Sequence, residues 1–301
     1  MTEQTDILLK RVNNVSEKAK NILGIAGMLD FALFSKDAIQ AALPDVNIKN
    51  SINELLDYGL LKSASERLIF SHEQIHNYAR NNHKPDNEIV EKLAGYYSEI
   101  DPESYGLIDI ERVHIFRIME ECKEREIWQK VIDLVWMVQS YFNICGYWTD
   151  KIETYKLGIT AAQKLEDKYN ESAYSGNLGT AYRALGEIKK AIGYYKQALT
   201  INREMKYQHL KGYCLGCLGL AYYSLNEKKK AIVYYKQALT INRVMGYQQE
   251  EGNFLFYLGI AYFEMNKKDK ARKYFEESLS IYEAIKSPYA DKYAKVWLNK
   301  I

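Results

Sequence analysis

Two short motifs carry residue types that do chemistry. His72-Glu73-Gln74-Ile75-His76 reads HExxH. On a helix that spacing sets two imidazoles one turn apart to grip zinc, with the glutamate placed to activate a bound water. The extended form of the motif puts a third histidine ten residues after the first. Asn82 stands there, and His83 falls one residue beyond it. Zinc peptidase chemistry is thus an alternative to a plainer reading, a helix with two surface or half-buried histidines. Cys214-x-x-Cys217 has no second pair for a zinc ribbon, and it lies inside a helical pattern rather than at a strand-to-helix turn. Packing or groove lining is expected of it. No acid–base pair, nucleophile constellation or cofactor loop competes with these motifs. The chain is therefore expected to be non-enzymatic, with no catalytic residues, no metal site and no cofactor.

The elements that must position these residues are mostly helical. Among 301 residues there are only four prolines, and the apolar and charged fractions of 47% and 27% are those of a folded soluble protein. Length suggests about two domains. Four sparse cysteines argue against a disulfide framework and for a reducing, cytoplasmic setting. No apolar stretch is long enough for a membrane span, and the first residues lack the basic and apolar regions of a secretory signal. Charge is uneven: residues 91–150 carry net −6 and residues 151–301 carry net +10. Lysine runs such as Lys228-Lys229-Lys230 read as a solvated rim, with steering of an acidic partner or RNA as the sharper reading. Tyrosine is in excess, 26 against 9 phenylalanines, with 21 of the 26 after residue 140.

That excess belongs to an internal repeat. Ala191–Arg203 reads AIGYYKQALTINR and Ala231–Arg243 reads AIVYYKQALTINR. The same forty-residue offset joins Gly179, Gly219 and Gly259, and also Tyr182, Tyr222 and Tyr262. A fixed period of this size means stacked supersecondary units, here two helices each. In the middle copy the glycine, Gly219, is expected to let two helix backbones approach, with Ala231 facing it.

These residues resemble the tetratricopeptide repeat family. Its small-residue and aromatic pattern falls on Leu178, Gly179, Tyr182, Ala191, Tyr195 and Ala198, and recurs forty and eighty residues later. The resemblance implies an all-α superhelix of about three to four repeats: 135–170 (degenerate), 171–210, 211–250 and 251–286, closed by a cap at 287–301. Pro288 is expected to start that cap, a helix over Tyr289–Ile301 whose Trp297 and Leu298 pack on the last repeat. It also implies an inner surface lined by the first helix of each repeat. On that surface Asn177, Arg183, Tyr213, Leu220, Tyr223, Phe256, Ile260 and Phe263 are the expected partner-binding residues, unless the final helix or a second copy covers them. The partner is expected to be a protein or peptide.

Residues 1–84 do not repeat. Apolar spacing predicts helices over Ala19–Leu33, Lys36–Leu43 (capped by Ser35) and Val46–Tyr58 (ended by Gly59). A hairpin follows, pairing Leu60-Leu61-Lys62 with Arg67–Phe70, and then a helix from His72 to Asn81 capped by Ser71. Three helices and a two-stranded wing make a winged-helix pattern. LLDYGLL (Leu55–Leu61), FSHEQIHNYAR (Phe70–Arg80) and the connector Ile108–Val138 resemble the part of STAND or NB-ARC signalling ATPases that follows the ATPase and precedes a repeat sensor. The resemblance covers about residues 15–301. It implies a winged-helix-like domain at 1–84, a helical connector at 85–134 and a repeat domain at 135–301, with His72 as a regulatory residue. No G-x-x-x-x-G-K-[S/T] occurs, so the resemblance further implies a P-loop ATPase partner encoded separately.

The function expected is a protein- or peptide-binding sensor or scaffold, part of a signalling or defence-type switch. A peptide-responsive transcription regulator is the alternative. DNA binding is disfavoured because the helix that would enter the groove offers Lys49, Asn50, Asn53, Glu54 and Asp57, which is not a basic face.

Overall fold

A computed structural model describes residues 3–301. The chain divides into two compact units, Met1–Tyr147 and Trp148–Ile301. None of the helices among the described residues is long and apolar enough to cross a membrane.

The first unit contains α1 (Glu3–Asn14), α2 (Glu17–Met28), β1 (Phe34–Ser35), α3 (Lys36–Ala42) and α4 (Lys49–Asp57). It continues with β2 (Leu61–Ala64), β3 (Arg67–Phe70), α5 (Glu73–Asn82), α6 (Asn87–Ser98), α7 (Tyr105–Glu124) and α8 (Trp128–Cys145). The Ser16 hydroxyl accepts the Ala19 N–H and starts α2. That helix was expected to run to Leu33 but stops at Met28. Leu29 turns extended, and Phe34 is needed opposite Leu68 as a third strand. The sheet order is β1-β3-β2, all antiparallel, so the expected two-stranded wing has an extra edge strand. Ser35 caps α3 as expected, its hydroxyl accepting the Asp37 N–H. Gly59, at φ +66°, ends α4, with Leu60 N–H donating to Leu55 O at 2.9 Å. Ser71 does not cap α5: His72 holds the N-cap position, and the Ser71 hydroxyl instead meets His72 Nδ1.

Two packing choices fix this unit. Gly27 lies against the backbone of α5, where a Cβ would come within 2.8 Å of the Arg80 nitrogen. Only glycine lets α2 and α5 approach so closely. The wing is tied to α7 by buried polar groups. Arg67 pairs with Glu111 at 2.6 Å and also donates to Leu33 O. His114 accepts the Asp30 N–H at Nδ1 and donates from Nε2 to the same Leu33 carbonyl.

The second unit is a run of helices: α9 (Trp148–Lys164), α10 (Lys168–Ala184), α11 (Ile188–Glu204), α12 (Gln208–Ser224), α13 (Lys228–Met245), α14 (Gln248–Glu264) and α15 (Lys268–Ala284). α10 packs on α11, α12 on α13 and α14 on α15, each pair also touching the next. The conserved spacing of glycine and ring explains the pairing. Gly219 does not make room for a backbone, as its position opposite Ala231 suggested. It makes room for the Tyr235 ring, which lies where its Cβ would be. Gly179 does the same for Tyr195 and Gly259 for Phe275. On the outer side Tyr182 stacks on Tyr194, Tyr222 on Tyr234 and Tyr262 on Tyr274, with centroids 5.3–5.4 Å apart and planes within 5°.

The turns repeat as strictly as the cores. Positive φ recurs every twenty residues at Glu166, Gly186, Lys206, Asn226, Gly246, Asn266 and Lys286. At all seven the following N–H reaches back five residues, as in Glu187 to Tyr182 and Tyr207 to Asn202, which is the Schellman closure of a helix end. In the first unit α7 ends in the same turn, with Glu126 at φ +59° and Ile127 N–H on Cys122 O.

The expected cap helix over Tyr289–Ile301 is shorter and irregular: a π-helical turn at Ala290–Ala294, then α16 (Lys295–Leu298). Fully buried Ala294 allows that turn to lie against α15.

Candidate functional site

Along α10, α12 and α14 one face stays open while the rest is packed. Asn177, Thr180 and Arg183 on α10, Leu220 and Tyr223 on α12, and Ile260 and Phe263 on α14 are all half-buried, and Tyr213 is 38% exposed. These positions sit between the glycines and alanines that face the second helices. The same twofold patterning of each first helix therefore packs the repeat and presents a strip of side chains.

The open strip is built on tyrosine hydroxyls. The Tyr213 ring lies over Gly176, where a Cβ would meet it at 3.2 Å. Its hydroxyl lies 2.9 Å from the Thr180 hydroxyl. The Tyr195 hydroxyl donates to the same Thr180 oxygen at 3.2 Å. Burial pushes the pKa of Tyr213 and Tyr195 far above the ordinary phenol range, so both stay neutral donors. The Arg183 charge acts on this cluster, favouring the ionised forms of Tyr195, Tyr235, Tyr257 and Cys217 against the larger opposing effect of burial. Arg183 Nε is buried without a hydrogen-bond partner. Further along, the Tyr223 hydroxyl donates to Glu264 Oε1 at 2.5 Å, and Lys228 pairs with Glu264 Oε2 at 3.0 Å. Burial opposes the Glu264 charge, but these two donors outweigh it and hold the carboxyl below its usual range.

The far end of the strip is closed. Phe256, expected as an apolar anchor, is 7% exposed. It packs against Phe275, Tyr293 and Trp297 at 5.5–6.4 Å. Phe263 meets the same indole edge-on at 5.6 Å. The C-terminal turn thus covers the aromatic face of this repeat. The residues the structure leaves open together are therefore Asn177, Arg183, Tyr213, Leu220, Tyr223 and Ile260. Glu264 as the partner of Tyr223 leaves no signal in the sequence, because the two lie forty-one residues apart, one position out of the repeat register.

The two chemical motifs resolve into structural roles. His76 is buried against Phe31 and Phe70, and its Nε2 donates to Leu29 O at 2.9 Å, satisfying the carbonyl freed where α2 ends. His72 is exposed at the N-cap of α5. The two imidazoles thus face different surroundings, and among the described residues no three His, Cys, Asp or Glu side chains gather as metal ligands. Cys214 and Cys217 are buried in α12, and burial pushes both thiols well up. Cys214 accepts from Asn202 Nδ2, so it packs the seam between repeats. In the first unit Glu54 of α4 is held by the Ser16 N–H and hydroxyl, leaving Lys49, Asn50, Asn53 and Asp57 as the exposed face.

Comparison with known proteins agrees with the fold. The tetratricopeptide repeat family model matches residues 171–243 and 218–284. Residues 171–284 are tetratricopeptide repeats. The apo form of RapI is 14% identical with a TM-score of 0.56, over 85% of this chain and 66% of its own. BtubC from P. vanneervenii is 18% identical with a TM-score of 0.51, over 71% and 84%. The STAND protein PH0952 from Pyrococcus horikoshii, which has a tetratricopeptide repeat sensor, is 16% identical over 96% of this chain with a TM-score of 0.45. This chain spans only 60% of that protein's length. At these identities the likeness concerns fold alone. No curated protein sequence matches the chain.

Proposed function

We propose that this chain is a non-enzymatic sensor or scaffold that holds a peptide segment of a partner protein along the tetratricopeptide repeat strip. One observation carries this reading: the strip on α10 and α12 combines exposed aromatic edges with a buried guanidinium nitrogen that lacks a partner, while Phe256 and Phe263 at its α14 end are already covered by Trp297. An aromatic surface with a few fixed polar groups is what ordered peptide capture uses. Tyr213, Leu220, Tyr223 and Ile260 would supply apolar contact, and Arg183 and Asn177 polar contact. In the fuller reading, residues 1–84 act as a winged-helix-like domain, 85–134 as a connector and 135–301 as the repeat domain. The unit boundary between Tyr147 and Trp148 falls inside the expected 135–170 repeat. A separately encoded P-loop ATPase would then supply the switch of a cytoplasmic signalling or defence system, with exposed His72 as a contact to it.

The test is selection of a displayed random peptide library on the wild-type chain. Enriched peptides should bind at least tenfold more weakly to the Arg183→Gln/Tyr223→Ala variant, whose circular dichroism melt stays within a few degrees of wild type. Absence of enrichment, or peptides indifferent to both substitutions, would sink the reading.

A further inference from the structure

A second feature lies in the first unit, away from the repeats. The end of α5, the segment after it and the C-terminal half of α7 enclose a cavity of ≈ 430 Å³, within the range of small-molecule sites. Its charged lining is Arg80, Lys84, Arg117 and Arg125 against Glu121 and Glu124.

The balance inside is what marks it. Glu121 is buried and serves two arginines at once: Arg117 donates to Oε1, and Arg125 Nε lies 3.5 Å from Oε2. Arg125 is fixed further by Pro85 O at 2.9 Å and Asn87 Oδ1 at 3.1 Å. Arg117 Nε is buried with no hydrogen-bond partner. Glu124 stands exposed, and among the described residues neither Arg80 nor Lys84 pairs with a carboxylate. Two guanidinium groups are thus held rigidly beside two uncompensated cations. Such a set repels itself until an anion enters, and planar guanidinium forks match the oxygens of a phosphoryl group. The excess of cations over carboxylates disfavours a metal ion.

We propose that this cleft binds a small phosphate-bearing molecule through its phosphoryl group. The cleft is independent of the peptide strip, and His72 does not line it. Four cations spread over the cavity favour two linked phosphoryl groups over one.

Isothermal titration calorimetry of the full chain at low salt tests this with pyrophosphate, orthophosphate and a sugar phosphate monoester. Pyrophosphate should bind saturably and about tenfold tighter than orthophosphate, a gap of about 1.4 kcal/mol. Arg80→Gln/Lys84→Gln, which removes two exposed side chains that pair with no carboxylate among the described residues, should weaken it about tenfold and leave the melting temperature unchanged. Arg117→Gln should weaken it at least as much. Tighter binding of the monoester than of orthophosphate would identify an organic phosphate, and the reverse a free one. No saturable heat with any of the three, or affinity unchanged in Arg80→Gln/Lys84→Gln, would overturn the proposal.

Discussion

The two units solve the burial problem with different materials. The first closes its core around charge: Glu111 is 1% exposed and His114 fully buried, and both are satisfied by Arg67, Tyr97 and backbone groups of the Asp30–Leu33 loop. The second closes its core mainly with rings: Tyr195, Tyr235 and Phe275 each fill the space above a glycine, and its recurrent buried polar side chains are neutral, such as Asn202 and Asn242, with the charged Lys151 and Glu171 buried only in its first two helices. The contrast follows from how each arose in sequence. A duplicated unit can copy a ring over a glycine, because the contact is complete within one helix pair. A buried ion pair needs partners from three different segments at once, here β3, α7 and the loop after α2.

The largest expected effect is therefore in the first unit. Glu111→Ala leaves Arg67 half inside the wing–α7 seam without its carboxylate and removes the acceptor of the Tyr97 hydroxyl. Breaking a buried pair on one side should cost about 3 kcal/mol in urea unfolding. The first unit should lose it and the second should not. Two-tryptophan variants separate them, because Trp128 and Trp136 report the first unit and Trp148 and Trp297 the second. A drop shared equally by both reporters would show that the units unfold as one, and the comparison would fail.

The same asymmetry decides what could be read from the sequence. The repeats were legible because Gly179, Tyr195 and their copies recur at a fixed offset, and the open face of each first helix follows from that register. The winged-helix order was legible from turn residues such as Gly59 and from the N-cap Ser35. The third strand was not, because Phe34-Ser35 is two residues long and its pairing is entirely tertiary. Nor was the closure over Phe256 readable as a settled fact, since a face that binds and a face that is capped carry the same apolar pattern. The turn at Glu126 escaped notice because glutamate gives no local signal for a left-handed conformation.

Acid and alkali should pull the units apart. His114 is shifted below the ordinary imidazole range, first by burial, and His83 likewise; both lie in the first unit. The unfolded chain then binds more protons than the folded one below pH about 6.5, so this contribution is intact above that pH and is lost as pH falls. Protonated His114 could no longer accept the Asp30 N–H. In alkali the sign reverses. Burial raises the phenols of Tyr155, Tyr195, Tyr213, Tyr235, Tyr257 and Tyr282 in the second unit, against Tyr96, Tyr97 and Tyr141 in the first, so the larger alkaline loss falls on the second. They stay protonated when folded and ionise when unfolded above pH about 10, so stability falls as pH rises through that range. The tryptophan reporters should therefore show the first unit weakening first from pH 7 to 5, and the second from pH 9 to 11. The opposite order would refute the assignment of these groups.

The smallest effect probes what the units share. Glu126 and Lys206 occupy the same left-handed turn, at φ +59° and +60°, eighty residues apart. Gly246 stands at the equivalent place in the next repeat, at φ +74° with open space around it. A side chain there carries about 1 kcal/mol of steric strain, and glycine removes it while giving the unfolded chain more freedom. The two terms partly cancel, so Lys206→Gly should stabilise the second unit by about 0.5 kcal/mol. If α7 ends by the repeat's own turn, Glu126→Gly should stabilise the first unit by the same amount, read on Trp128 and Trp136. A gain at Lys206 with a loss at Glu126 would mean that the first turn only imitates the others, held in shape by the charged core around it.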